Sequence, residues 1–208
     1  MKYKLIVFDF DGTLADSFHW FTRTINQLAD LYHFKRVTPD ECERLRVTDA
    51  RAVLKHLRVP FWKVPRIGAH VRSLMNREIH QIPPFAGIGQ ALPLLAQQGA
   101  TLGLVSSNSF ENIQLVLGGE NAGLFAYREC GVSVFGKAVQ LRKILRNSCV
   151  SPAEAIYIGD EIRDAEAARA VRMKFGAVAW GYTQLDALKA HAPDETFLQV
   201  TELSERLA

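Results

Sequence analysis

The stretch Leu5-Ile-Val-Phe-Asp9-Phe-Asp11-Gly-Thr13 decides how this chain folds. Residues Leu5 to Phe10 are short, β-branched and aromatic-rich, and they run directly into acids and a glycine. That pattern reads as a strand of a parallel sheet buried on both faces. The apolar run Leu5–Phe8 is four residues long, too short for a membrane span or the apolar part of a signal segment. No later stretch reaches eighteen apolar residues.

Three similar runs follow: Thr101-Leu-Gly-Leu-Val105, Ala155-Ile-Tyr-Ile158 with Gly159-Asp160 behind it, and Phe175-Gly-Ala-Val-Ala179. Helical periodicity separates them over Ile88–Gln98, Glu111–Leu117, Ala138–Arg146 and Asp164–Val171. Strands alternating with helices predict an α/β fold with a doubly wound parallel sheet.

The interval 16–84 breaks the alternation. It contains helix signals and no comparable strand run. Thr38-Pro39-Asp40-Glu41 is a capping box with Pro in the first helical turn, and Thr48-Asp49 opens a helix running to about Arg58. Trp20, Ile25, Leu28 and Leu31 mark an earlier helix; Ile67, Val71, Leu74 and Met75 mark a later one. The expected organisation is a core of residues 1–15 and 85–208, carrying an inserted all-helical domain over 16–84 with a stiff return at Pro83-Pro84.

Composition fits this reading. The 208 residues are 48% hydrophobic and 23% charged, which excludes disorder and low complexity. The net charge of +3 is too small to argue for a nucleic-acid partner. It is unevenly placed: the insertion holds 12 basic and 7 acidic residues, the remainder 13 and 15. The odd trio Cys42, Cys130 and Cys149 has no metal-ligand spacing and suggests no disulfide framework, as expected of a cytoplasmic protein.

Ligands of open α/β sheets bind beyond the carboxyl ends of the strands. Here those ends carry Asp9-Phe-Asp11-Gly12-Thr13, Ser106-Ser107-Asn108, and Gly159-Asp160-Glu161 with Asp164 one helical turn on. Asp9, Asp11, Asp160 and Asp164 brought together would repel one another unless a divalent cation lay among them. All-oxygen ligands favour Mg²⁺. A hard cation beside carboxylates, hydroxyls and backbone amides suits a phosphoryl group.

In order and spacing, Asp9-Phe-Asp-Gly-Thr13, Ser106, Lys137 after Phe135-Gly136, and Gly159-Asp-Glu-Ile-Arg-Asp164 resemble the four motifs of the haloacid dehalogenase-like hydrolase superfamily. The resemblance covers the whole chain. The insertion looks like a C1-type cap on a Rossmann-like core. The tail Ala179-Trp-Gly-Tyr182, with an Asp-Ala-Leu helix and Pro193-Asp194 behind it, is similar to the phosphoglycolate phosphatase-like branch. Ala170-Val171, where that branch often has Ala-Gly, is a departure in packing.

The resemblance implies a phosphatase acting on a small phosphorylated metabolite, with no nucleic acid or membrane partner. Asp9 would be the nucleophile, Asp11 the general acid/base, Ser106 a phosphoryl ligand and Lys137 the neutralising cation. Mg²⁺ would be held by Asp9, Asp160 and the Asp11 carbonyl, with Asp164 or Glu161 steadying the site. Gly12, Ser107 and Asn108 would cradle phosphoryl oxygens, and Arg46, Thr48 and Arg51 would descend from the cap toward the leaving group. A sugar phosphomutase of the same fold is the neighbouring reading. Phe21 stands where such enzymes carry a cap His, and Asp49 where they carry an Arg, so hydrolysis is favoured. A catalytically silent binding protein is the reading from another class. The intact Asp pair, Lys137 and Asp160 speak against it.

Overall fold

The computed structural model describes residues 2–207 apart from Val132 and Val134. Six parallel strands form one sheet: β1 (Leu5–Phe8), β2 (Thr101–Val105), β3 (Phe125–Glu129), β4 (Ala155–Gly159), β5 (Lys174–Val178) and β6 (Glu195–Phe197). Their order is β3-β2-β1-β4-β5-β6, so the quoted stretch supplies a central strand paired with β2 on one side and β4 on the other. Burial of every β1 side chain follows from that position. Alternate residues serve opposite faces, as the two-residue period of a strand requires. Ile6 and Phe8 pack with Leu92, Leu102 and Phe125, whereas Leu5 and Val7 pack with Leu141, Ile144 and Ala168.

The sheet is flanked by α5 (Ile88–Gln97), α6 (Phe110–Gly123), α7 (Lys137–Ser148), α8 (Ile162–Ala170), α9 (Leu185–Lys189) and α10 (Thr201–Arg206). They follow α1 (Phe18–Tyr32), α2 (Pro39–Leu45), α3 (Ala50–His56) and α4 (Val64–Arg77), which lie between β1 and β2. The capping box forms as the sequence predicts, with Glu41 N–H donating to the Thr38 hydroxyl and Thr38 N–H to the Glu41 carboxylate. Asp49, in turn, caps α3 by accepting from the N–H groups of Arg51 and Ala52.

These four helices bury their own apolar cluster, including Ile25, Leu28, Phe34, Val37 and Leu57. The chain leaves and rejoins the sheet at one place: Asp16 N–H donates to the Pro83 carbonyl (2.9 Å) and Phe85 N–H to the Leu14 carbonyl (3.0 Å).

Two strands escape the sequence reading for physical reasons. β3 is an edge strand whose residues alternate in exposure, so Phe-Ala-Tyr-Arg-Glu shows no continuous apolar run. β6 has only three residues, with a buried Glu195 among them. Helix α6 also extends beyond its apolar stretch to Gly123, across a break at Gly118 where φ is 79°. The first strand ends at Phe8 rather than Phe10, because the Phe10 carbonyl turns to accept from the N–H groups of Thr13, Leu14 and Ala15.

Candidate active site

A parallel sheet sends all its carboxyl ends to one edge, and β1 lies between β2 and β4. Phe8 is in register with Leu104 and with Ile158. The residues just beyond, Asp9, Ser106 and Asp160, therefore come together across three segments distant in sequence. Asp9 N–H continues the ladder to the Ile158 carbonyl at 2.9 Å. All three are buried.

Lys137 enters from the first turn of α7 and is itself only 2% exposed. Its ammonium lies 2.5 Å from Asp9 Oδ2 and 2.5 Å from Asp164 Oδ1, forming a buried carboxylate–ammonium–carboxylate bridge. Asp164 is fixed from three further sides. The Tyr157 hydroxyl donates to its Oδ1 (3.2 Å), Glu161 N–H donates to its Oδ2 (3.1 Å), and Glu161 completes a reciprocal cap at the start of α8. Both oxygens of Asp164 are thus committed within the protein.

Asp160 is held differently. The Thr13 hydroxyl donates to Oδ1 at 2.7 Å and Tyr182 N–H to Oδ2 at 2.8 Å. Two glycines make this packing possible. Gly12 has φ +78°, and a Cβ there would lie 2.2 Å from Asp160 Oδ2; a Cβ at Gly159 would lie 2.6 Å from Asp164 Oδ2. Side chains at either position would displace the acids.

Asp9, Asp160 and Asp164 each offer an oxygen within 4.8 Å of the others'. Burial pushes the Asp9 carboxyl up to about 7, with Asp164 adding to the effect and Lys137 opposing it. Burial, then the charges of Glu161 and Asp9, push Asp160 well above the usual carboxylate range. Lys137 moves upward: burial works against its charge, but Asp164 and Asp9 together outweigh it. The donor set fits a divalent cation. It is all oxygen, close-set, and strained by negative charge that Lys137 only partly offsets.

Asp11 stands apart from this bridge and faces a cavity. The Asn108 side-chain amide donates to both its oxygens (3.3 and 3.1 Å). Its carboxyl is raised by burial, against the hydrogen bonds from Ser17 and Asn108. Asp11 therefore lies next to the Asp9 cluster with its carboxyl raised by burial and turned toward the cavity. Ser106 Oγ accepts from Asn108 N–H (3.0 Å), which leaves the hydroxyl proton to donate elsewhere. Ser107 and Asn108 line the same cavity as Asp11.

The expected cap residues separate. Arg46 reaches across to the segment that follows β5, donating from Nε to the Tyr182 carbonyl and from a terminal nitrogen to the Gly181 carbonyl, both at 2.9 Å. The Arg46 carbonyl accepts from Gln184 N–H (2.9 Å), and its guanidinium lies 4.6 Å from the Phe18 ring centre. Thr48 faces the cavity. Arg51 is not among the cavity-lining residues and instead covers the Phe135 ring at 5.2 Å.

Four residues that the sequence reading leaves without a role belong to the site. Thr13, Tyr157 and Tyr182 orient Asp160 and Asp164. Arg163 pairs with Glu161 and lends positive charge to the surroundings of Asp9. Thr13 lies inside the quoted motif. Tyr157 carries no sequence signal, because its apolar strand context hides the hydroxyl.

Comparison with known proteins agrees with this geometry. The family model described as haloacid dehalogenase-like hydrolase matches residues 6–178. A phosphoglycolate phosphatase of Synechococcus elongatus is 30% identical over 192 residues, covering 92% of this chain and 91% of that protein. One from Aquifex aeolicus is 22% identical, covering 96% and 94%. Among solved structures, CbbY from Rhodobacter sphaeroides in complex with phosphate superposes with a TM-score of 0.72 at 19% identity, covering 97% of this chain and 96% of that one. The match from strand β1 through β5, together with the strand-end carboxylates and buried lysine, places the chain in the haloacid dehalogenase-like hydrolase family.

Proposed function

We propose that this protein is a Mg²⁺-dependent phosphatase that hydrolyses a small phosphomonoester through an aspartyl-phosphate on Asp9, with residues 16–84 acting as a cap. The observation that carries the reading is the Asp9–Lys137–Asp164 bridge beside Asp11. It presents one carboxylate held by an ammonium and a second carboxyl free of that bridge and facing the cavity. The phosphatase names of the curated relatives support the same reaction class.

In the first half-reaction an Asp9 oxygen attacks phosphorus, the ester P–O bond breaks, and Asp11 gives its proton to the departing alkoxide. In the second, Asp11 takes a proton from water as that water attacks phosphorus. The bond to Asp9 breaks, inorganic phosphate leaves, and both residues return to their starting states. Lys137 offsets negative charge on the phosphoryl group and on Asp9. The Ser106 hydroxyl and the amides near Gly12, Ser107 and Asn108 receive the phosphoryl oxygens. Asp9, Asp160 and the Asp11 carbonyl would hold Mg²⁺, which supplies Lewis-acid stabilisation of the phosphoryl oxygens when bound. Asp164, whose oxygens already serve Lys137, Tyr157 and Glu161, supports the site from behind.

The test is Mg²⁺-dependent phosphate release from an aryl phosphate and from a panel of phosphorylated metabolites that includes 2-phosphoglycolate. The wild type turns over at least one of them, and Asp9→Asn turns over none. Wild-type release no greater than that of Asp9→Asn across the panel would refute the proposal.

A further inference from the structure

A cavity of about 320 Å³ opens at Asp11 and Asn108 and runs into the four-helix segment as far as Phe34 and Val37. That size lies within the range of roughly 300–1,000 Å³ that takes drug-sized ligands. Its outer end is polar, where it meets Asp11, Ser107 and Asn108. Its inner end is bounded by apolar side chains from three helices, among them Ile25, Leu28, Val53 and Ile67.

The charges on the wall are as informative as its apolar part. Among the described residues, its only cations are Arg46, Arg72 and Arg163, with no Lys or His. Each bonds to the protein: Arg46 to the Gly181 and Tyr182 carbonyls and to Glu43, Arg72 through one nitrogen to the Ser107 carbonyl (3.2 Å), and Arg163 to Glu161. A short carboxylate-bearing leaving group would leave the apolar inner wall unfilled, whereas a hydrocarbon chain would cover it and release the water held there.

Resting on the phosphatase reading above, we infer that the preferred substrate is a phosphomonoester whose leaving group is apolar and extended, an alkyl or arylalkyl chain, rather than a short carboxylate-bearing one. The phosphoryl group sits at Asp9 and the chain passes Asp11 into the helical segment. Water expelled from the apolar wall supplies the selectivity, about fourfold per methylene buried.

The experiment measures kcat/KM of the Mg²⁺-loaded wild type for ethyl, butyl, hexyl and octyl phosphate, with 2-phosphoglycolate alongside. The expected result is a rise of roughly threefold to fourfold per methylene up to hexyl, with hexyl phosphate above 2-phosphoglycolate. A flat or falling series, or 2-phosphoglycolate above hexyl phosphate, overturns the inference and leaves the phosphatase proposal standing. Should none of these five esters turn over, the phosphatase proposal is decided separately by the aryl phosphate and metabolite panel above. Calorimetric binding of methyl- and hexylphosphonate then decides the cavity assignment: tighter binding of hexylphosphonate supports it, and equal affinities overturn it. Val53→Phe, and independently Ile67→Phe from a different helix, should flatten the chain-length dependence. An unchanged slope in a folded variant also overturns the assignment.

Discussion

Replacing Asp9 by Asn should stabilise the metal-free protein while abolishing turnover. The carboxyl of Asp9 is pushed from 3.8 to about 7, chiefly by burial, and so binds a proton more tightly in the folded state than in the unfolded one. The folded state then holds more protons than the unfolded chain between those values, and stability falls as pH rises through that window. Each pH unit costs about 1.4 kcal/mol, so the loss amounts to about 4 kcal/mol and is complete above pH 7. Asn carries no such cost, and Lys137 keeps Asp164 as its partner. Urea unfolding in chelator, at pH 4 and at pH 8, measures the difference. Asp9→Asn should exceed the wild type by about 2–4 kcal/mol at pH 8 and by little at pH 4. Saturating Mg²⁺ should restore wild-type stability by mass action and do less for the variant, which lacks one carboxylate ligand. A variant no more stable than wild type at pH 8, or an advantage equal at both values, would refute the reasoning.

Other perturbations probe the surroundings. Lys137→Met leaves Asp9 and Asp164 buried without their shared ammonium, so unfolding free energy at pH 8 should drop by about 3–5 kcal/mol in denaturant titrations and turnover should vanish. Arg46→Ala removes two donors that tie the helical segment to the Gly181–Tyr182 carbonyls. It should lower kcat/KM about tenfold, with Mg²⁺ affinity measured by calorimetry unchanged, since Asp160 still accepts from Thr13 and Tyr182. The insertion's excess of basic residues predicts attraction of an anionic ester. KM should therefore rise with ionic strength across a KCl series at fixed Mg²⁺.

The sequence reveals most clearly what a buried parallel sheet needs. Leu5–Phe8, Thr101–Val105 and Ala155–Ile158 are uninterrupted apolar runs because both faces are covered, and the polar residues that follow them stand out against that background. The helices of the insertion announce themselves through Thr38, Asp49 and Glu41, whose capping roles are local. β3 and β6 are hidden because an edge strand half in solvent and a three-residue strand lack the apolar run that marks the central ones. At the site, Asp9 and Asp160 are legible because they end apolar strand runs, where an acid is costly to bury without a partner, whereas Lys137 is legible only through the motif it shares with the family.

Positioning groups are less legible. Tyr157 looks like a core aromatic until its hydroxyl is seen on Asp164. Arg46 and Arg51 look equivalent in sequence, yet one bonds the Tyr182 segment and the other covers Phe135, because Arg46 ends α2 whereas Arg51 lies in the first turn of α3, beyond the Asp49 cap. The apolar depth of the cavity had no signal either, since side chains that line a cavity and side chains that fill a core follow the same periodicity.

The most direct test of the central claim is the covalent state of Asp9 during turnover. Wild-type protein mixed with Mg²⁺ and a ³²P-labelled phosphomonoester, then quenched in acid within milliseconds, should retain acid-stable, base-labile label on the peptide containing Asp9, and Asp9→Asn should retain none. Phosphate release from the wild type with no label on that peptide at any quench time, or equal labelling of Asp9→Asn, would contradict the account.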